Sequence, residues 1–245
     1  MSRRFERARA TNRPRFGDCV LIALLLAALV PQPVLADGLV RDGLGPISTG
    51  RGGTNIAFSD NAAIISDNPA GMMNVYGTGL AEIGLDTVFT DLDYTDPENP
   101  GVNGRFRPFP IPELGFFRKT ADGNFAYGLG VFAPAGFGAE YGITNPDFGP
   151  SQTYKSIGLL GKVLPGAAVK LTDQLSVGGT FGLGVSIIET EGPFYWQTGL
   201  LAGARAQLDL QTLGFAPTGS IGAQYRLTRS TTLGVCYISE SSFDL

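Results

Sequence analysis

The sequence predicts an all-β protein, an antiparallel transmembrane β-barrel with a plug at its N-terminal end. Three observations lead there. The chain of 245 residues is mildly hydrophobic, with 35 Gly and only 16% charged residues, yet after residue 36 it has no apolar run long enough for a spanning helix. From Gly77 onward apolar residues recur with a period of two, bulky side chains on one face and Gly, Ser or Thr on the other. The connections between these segments alternate in length, about five residues or fewer and then about twenty, as in barrels with short periplasmic turns and long external loops. A β-sandwich also alternates faces, but it gives no reason for the alternation in loop length.

Residues 1–36 read as a secretory signal. Arg3, Arg4, Arg7, Arg9, Arg13 and Arg15 form a basic start, residues 19–30 are an apolar run too short to span a bilayer, and Val34-Leu35-Ala36 fits a cleavage site. Without this segment the chain keeps 12 basic and 20 acidic residues, a net charge of −8. That argues against nucleic acid as a partner. The chain has no His, which removes Ser-His-Asp and Cys-His triads and the common zinc sites together. No catalytic residue, metal or cofactor is expected. Cys236 remains alone in a strand pattern, where it reads as a small strand residue.

Residues 37–77 form the expected plug. A Gly-rich lead over residues 37–47 precedes an amphipathic centre over residues 56–65, in which Ile56, Ala57, Phe58, Ala62, Ala63, Ile64 and Ile65 would line one side of a short helix. Ser59 or Asp60 would cap its second part. Pro69 restricts Asn68 and stops the helix, and Asn68, Pro69, Ala70 and Gly71 make a stiff turn.

Residues 78–245 form the wall, in seven strands of about ten residues, the length of a tilted crossing. In the first, Leu80, Glu82, Gly84, Asp86 and Val88 share one face and Ala81, Ile83, Leu85, Thr87 and Phe89 the other. A long loop over residues 91–110 leads to a strand over 112–119. Asp122-Gly123-Asn124 signals a tight turn into a strand over 125–132, with Phe125, Tyr127, Leu129 and Val131 on one face. A second long loop covers residues 133–152. The strand over 154–171 holds Pro165, a bulge or break signal. In the next, Leu175, Val177, Phe181, Leu183, Val185 and Ile187 oppose Ser176, Gly178, Thr180, Gly182, Gly184 and Ser186. A third long connection runs from 189 to 213, with a short helix expected over residues 200–210. Strands over 215–226 and 231–243 close the pattern.

The aromatic groups around Phe106 and Phe109, Phe132 and Phe137, and Phe194, Tyr195 and Trp196 fall in the expected loops. Two readings stay open for them, an interfacial girdle or a ligand-catching groove. Asp91 and Asp93 lie in a loop rich in Asp and read as a solvated face. Gly178-Gly179 and Gly182 to Gly184 lack the helix and Lys of a phosphate-cradling loop. A general porin or structural barrel would have no plug and a more charged lumen, so the plug favours a gated apolar route.

Gly43-Leu44-Gly45, Gly50-Arg51-Gly52-Gly53-Thr54, Phe58-Ser59-Asp60-Asn61-Ala62-Ala63 and Asn68-Pro69-Ala70-Gly71 together resemble the N-terminal hatch of the FadL-type outer-membrane proteins, transporters of long-chain fatty acids and hydrocarbons. Gly128-Leu129-Gly130 leading into Ala133-Pro134-Ala135-Gly136-Phe137, and Tyr237-Ile238-Ser239-Glu240 with Phe243-Asp244, extend the resemblance over residues 43–245. It implies a barrel of about fourteen strands with the hatch in its lumen, in the outer membrane of a Gram-negative cell, with outer-membrane lipid around it. It implies that a hydrophobic ligand is caught near the external loops, passes to a pocket beside the hatch and leaves sideways through a gap in the wall. The matching positions are Pro134, Gly136 and Phe137, and Pro and Gly there independently predict failed strand pairing. Seven strands are half the family number, so the resemblance implies an N-terminal half, a truncated and non-functional fragment, or a protein needing a second copy. Fatty-acid members hold the carboxylate with basic residues. Here the fifth strand ends in Glu189 and Glu191, while Lys155, Lys162 and Lys170 lie elsewhere, so an uncharged hydrocarbon is the alternative ligand.

Overall fold

The structure is a computed structural model that describes residues 40–58 and 60–244. The expected signal over residues 1–36, the start of the lead and the candidate cap Ser59 lie outside these residues. Among the described residues no helix is long and apolar enough to cross a membrane.

The wall is one antiparallel sheet. Its strands are β1 (Gly79–Phe89), β4 (Pro108–Lys119), β5 (Phe125–Asn145), β6 (Gly149–Lys170), β7 (Leu175–Tyr195), β8 (Arg205–Arg226) and β9 (Thr232–Ile238). A two-stranded ribbon, β2 (Asp93–Tyr94) with β3 (Val102–Asn103), stands between β1 and β4. The sheet order is β1-β4-β5-β6-β7-β8-β9, a meander curled into a half-barrel.

Apolar side chains lie on both sides of this wall, for different reasons. On the convex face Ile83, Leu85, Phe181, Leu213, Phe215 and Ile221 are all more than half exposed. On the concave face the sheet packs on the plug. Leu44, Ala63, Ile64, Ile65, Met72, Met73 and Val75 meet Phe117, Ala126, Phe132, Leu164 and Ala168 there. Among the described residues the dry core therefore lies inside the curl, and the greasy outer face has no protein packed on it. That face has the right height. Along β7 the outward series from Val177 ends at Ile187, and Glu189 and Glu191 follow. At about 3.3 Å per residue and a tilt near 45° this run rises about 23 Å, close to the thickness of about 25 Å of the apolar band of outer-membrane barrels.

The strands are longer than the sequence suggests. Strands β5 to β8 have 21 or 22 residues each, about twice what a crossing needs. The expected loops over residues 133–152 and 189–213 are mostly ladder, and the real connections are residues 146–148 and 196–204. The Pro and Gly residues that read as loop signals sit at a bulge, in the turn, or in the ladder itself, as Pro193 does opposite Gln207. Strand β4 likewise starts at Pro108, inside the expected first loop. Pro165 leaves the register unchanged, with Val163 opposite Leu183 and Gly166 opposite Thr180.

Two expected helices do not form. Over residues 200–210 only a 3₁₀ turn, Gly199–Leu201, is helical, and β8 begins at Arg205. There Arg205, Gln207, Asp209 and Gln211 alternate with Ala206, Leu208 and Leu210, a period of two. In the plug, Ile56 and Phe58 are exposed, and regular structure is limited to single turns at Gly45–Thr49, Ile64–Asp67 and the 3₁₀ segment Pro69–Met73. Asp60 caps neither of the last two. It pairs with Arg51 at 2.7 Å, and Asn61 Oδ1 accepts from the Ala63 amide at 2.9 Å instead.

Candidate functional site at the plug and the wall gap

The stiff turn of the plug is its most enclosed part, with Asn68, Pro69 and Ala70 wholly buried. Pro69 holds Asn68 extended (φ −162°, ψ 96°), and this aims the Asn68 side chain at the wall. Its oxygen accepts from the Ala70 amide at 3.2 Å, and its Nδ2 donates to the carbonyls of Ile56 at 2.8 Å and Ala223 at 3.1 Å. Two strand glycines make the seat. A methyl group on Gly178 would stand 2.6 Å from the Ala70 nitrogen, and one on Gly222 would strike the Asn68 amide. The small residues of the concave face are thus the footprint of the plug. Asn74 completes the docking, donating to Ser176 Oγ at 3.0 Å and Gln224 Oε1 at 2.6 Å.

Beneath this turn, Asn55 Nδ2 donates to Ser48 Oγ at 2.7 Å and to Asp67 Oδ2 at 2.6 Å. Burial pushes the Asp67 carboxyl up to about 6. The Asn55 bond opposes that shift and the Glu113 carboxylate adds to it. Arg51 lies 4.9 Å over the Phe58 ring, at the exposed edge.

Beside the plug the wall is open. The β4–β5 ladder runs from Lys119 opposite Ala126 to Leu114 opposite Val131 and stops. Strand β4 continues against β1 as far as Phe89 and Pro108, while β5 continues against β6 with a register shift between Phe132 and Ala135. The chemistry of β4 explains the stop. The Lys119 amide donates to Thr78 on the β1 side at 2.8 Å, so even-numbered residues of β4 direct their amides to β5. Pro108, Pro110 and Pro112 fall in that phase and have no N–H to give. Further out the β1–β4 connection covers β5 again. The Arg105 amide donates to the Glu140 carbonyl at 2.7 Å, and the Thr144 amide to Asn99 Oδ1 at 2.8 Å.

Pro134, Gly136 and Phe137, the residues singled out in the sequence, lie along the β5 side of this gap. The shift also moves the lumen face of β5 from even to odd residues, because Phe132 opposes Lys162 and Ala135 opposes Leu160 on an unbroken β6. The run from Pro108 to Pro112 is the signal that sequence reasoning missed.

The aromatic triplet divides. Phe194 lines a concave-side cavity of about 390 Å³ with Ala139, Tyr141, Tyr154, Thr190 and Leu208. Trp196 contacts Phe194 with ring centres 5.9 Å apart, and Tyr195 instead meets Phe148 at 5.0 Å. Of the candidate cations, Lys155 pairs with Glu189 and Lys170 with Asp173. Lys162, on the lumen face, is in no ion pair among the described residues.

A family model described as outer membrane protein transport protein (OMPP1/FadL/TodX) matches residues 47–245. The fold is that of part of several solved transport proteins. The Pseudomonas putida toluene transporter TodX superposes with a TM-score of 0.71 at 22% identity, over 83% of this chain and 57% of that one. A FadL homologue from Pseudomonas aeruginosa gives 0.62 at 17% identity, over 84% and 53%. The Ralstonia pickettii toluene transporter TbuX gives 0.59 at 23% identity, over 83% and 58%. The chain thus spans little more than half the length of these proteins. No match was found among curated proteins.

Proposed function

We propose, on the premise that this chain belongs to the FadL/TodX family of outer membrane transport proteins, that the protein takes up small hydrophobic compounds by a plug-gated route leaving sideways between β4 and β5. The gap in the wall carries this reading. An interruption where three prolines withdraw their donors, beside a plug seated by hydrogen bonds, suits an apolar molecule leaving the lumen into lipid. In this reading Asn68, Pro69, Ala70 and Gly71 fix the plug, Pro134, Gly136 and Phe137 border the exit, and Phe194 and Trp196 belong to a catching groove on the external side. The protein performs no covalent chemistry.

The charges favour an uncharged ligand over a fatty acid. The lumen face beside the plug carries Glu82, Asp86 and Glu113 against the single cation Arg41, a net negative patch that disfavours a carboxylate. Lys162 is the counterpoint, a cation in no ion pair among the described residues and so placed to receive one.

Uptake of radiolabelled toluene, oleate and a small polar solute by cells producing the protein tests the reading. Toluene should enter, and Pro110→Val with Pro112→Val, which restores two donors to β4, should slow it. Equal passage of the polar solute would point to a general porin and overturn the reading. Faster entry of oleate, lost in Lys162→Gln, would assign fatty acids instead.

A further inference from the structure

We propose that Arg41 is the latch of the lateral gap, holding the lead segment across it so that a ligand leaves only when this residue lets go; the inference rests on the exit route proposed above. The backbone of the lead stands where β4 fails to pair. Val40 forms an antiparallel bridge with Ala135, and the Arg41 amide donates to the Pro134 carbonyl at 2.9 Å. The lead thus replaces a stretch of ladder with one bridge and one bond, a closure weaker than the strand pairing around it.

The Arg41 side chain supplies the rest. Its Nη1 donates to Glu113 Oε1 on β4 at 2.7 Å and to the Ala133 carbonyl on β5 at 3.2 Å, and its Nη2 pairs with Asp86 on β1. One guanidinium therefore holds both banks of the gap, using the planar fork that suits it to several acceptors at once. The group is enclosed, with the side chains of Arg41 and Glu113 only 14% and 7% exposed. Removing the cation unties Ala133 on β5 from the β1–β4 bank and leaves two sheltered carboxylates on that bank without their counter-charge, so nothing from this side chain then holds the lead across the gap.

The latch is also tied to the plug. Gly45 follows Arg41 by four residues, and a methyl group on it would stand 2.9 Å from Glu113 Oε2. The Ala62 amide of the plug donates to Glu82 Oε2 on β1 at 2.7 Å. A shift of the plug pulls on the same strand pair that anchors Arg41, which couples an occupied lumen to an opening gap.

Two measurements in a Cys236→Ser background test this. Ala135→Cys reports access to the gap through its rate of maleimide labelling in intact cells. That rate should rise about tenfold when Arg41→Gln is added, and in the Asp86→Asn with Glu113→Gln variant, with a smaller rise for Arg41→Lys, which keeps the charge and loses the fork. Val40→Cys with Ala135→Cys places two thiols across an antiparallel bridge, within disulfide reach. Oxidation should cut toluene uptake at least about tenfold and reduction should restore it. Labelling that ignores Arg41→Gln, or a crosslinked protein that transports as fast as its uncrosslinked dithiol form, overturns the latch. Labelling that responds in a protein taking up no hydrophobic compound keeps the latch and sinks the transport reading.

Discussion

The side-chain amide of Asn68 donates to the backbone carbonyl of Ala223 at 3.1 Å, across 155 positions of sequence. With its bond to Ile56 it ties together a buried turn of the plug, its neighbouring loop and strand β8. Asn68→Ala strands the Ala70 amide in a dry site and leaves the Ile56 carbonyl with only its bond from Gln224 Nε2 at 2.9 Å, and an unsatisfied buried group costs about 1–3 kcal/mol. Asn68→Asp keeps the acceptor, loses the donors and sets a charge against carbonyl oxygens, so it should be no better tolerated. Hydrogen exchange of the plug amides should show protection lost in both variants while the β6–β8 ladder keeps its own. Unchanged exchange in the plug would show that the turn is held by packing alone.

The seat of that turn gives a second expectation. Gly178→Ala puts a methyl group 2.6 Å from the Ala70 nitrogen, a backbone atom that cannot swing away, and overpacking of this kind costs about 1–3 kcal/mol. Gly161→Ala is the control, since its nearest neighbour would be the Val185 carbonyl at 3.9 Å. Trypsin should cut the plug at Arg51 faster in the first variant and at the normal rate in the second. Equal rates would mean that the wall glycines do not position the plug.

These two sites show what the sequence made legible. The alternation of Ser176, Gly178 and Thr180 with bulky neighbours separated the two faces of the strand directly, and the Asn68-Pro69 turn was legible as a stiff turn. The ends of the strands were hidden because β5 to β8 continue past the apolar band, where no hydrophobic alternation is needed and Glu, Gln and Gly take over. Arg205, Gln207, Asp209 and Gln211 still kept a period of two there, set against Ala206, Leu208 and Leu210. The gap was half legible. Pro134 on β5 signalled it, but the phase of Pro108, Pro110 and Pro112 meant nothing until the Lys119–Thr78 bond showed which neighbour lost the donors. Arg41 carried no local signal, because its partners lie 45 and 72 positions away.

Asp67 should make plug docking depend on pH. Its carboxyl titrates at about 6 in the folded plug against 3.8 ordinarily, so between these values the docked state holds a proton that the undocked chain has released. Stability is then fully present below about 4, falls as pH rises through about 6, and stays flat above that. A shift of this size corresponds to about 3 kcal/mol. Asp67→Asn should remove the slope and raise stability at neutral pH, because the new amide oxygen can still accept from Asn55. Denaturant titrations of plug protection at pH 4.5, within the falling window, and at pH 7.5, above it, check this. A wild-type plug more stable at the higher pH would refute it.

The convex face offers the last expectation. Phe181 is 75% exposed near the middle of the apolar run on β7. If that face meets lipid, Phe181→Lys buries a charge near the bilayer midplane and costs about 2–4 kcal/mol of insertion. Gln211 also faces outward, but opposite Glu189, beyond the end of the run, where Gln211→Lys should cost about 0–1 kcal/mol. The folded fraction after dilution into phosphatidylcholine vesicles measures both. A face turned to water reverses the expectation, because there Phe181→Lys would improve solubility and leave folding intact. Depth dependence across these two positions, with the penalty confined to Phe181, is the behaviour that only a lipid-facing wall produces.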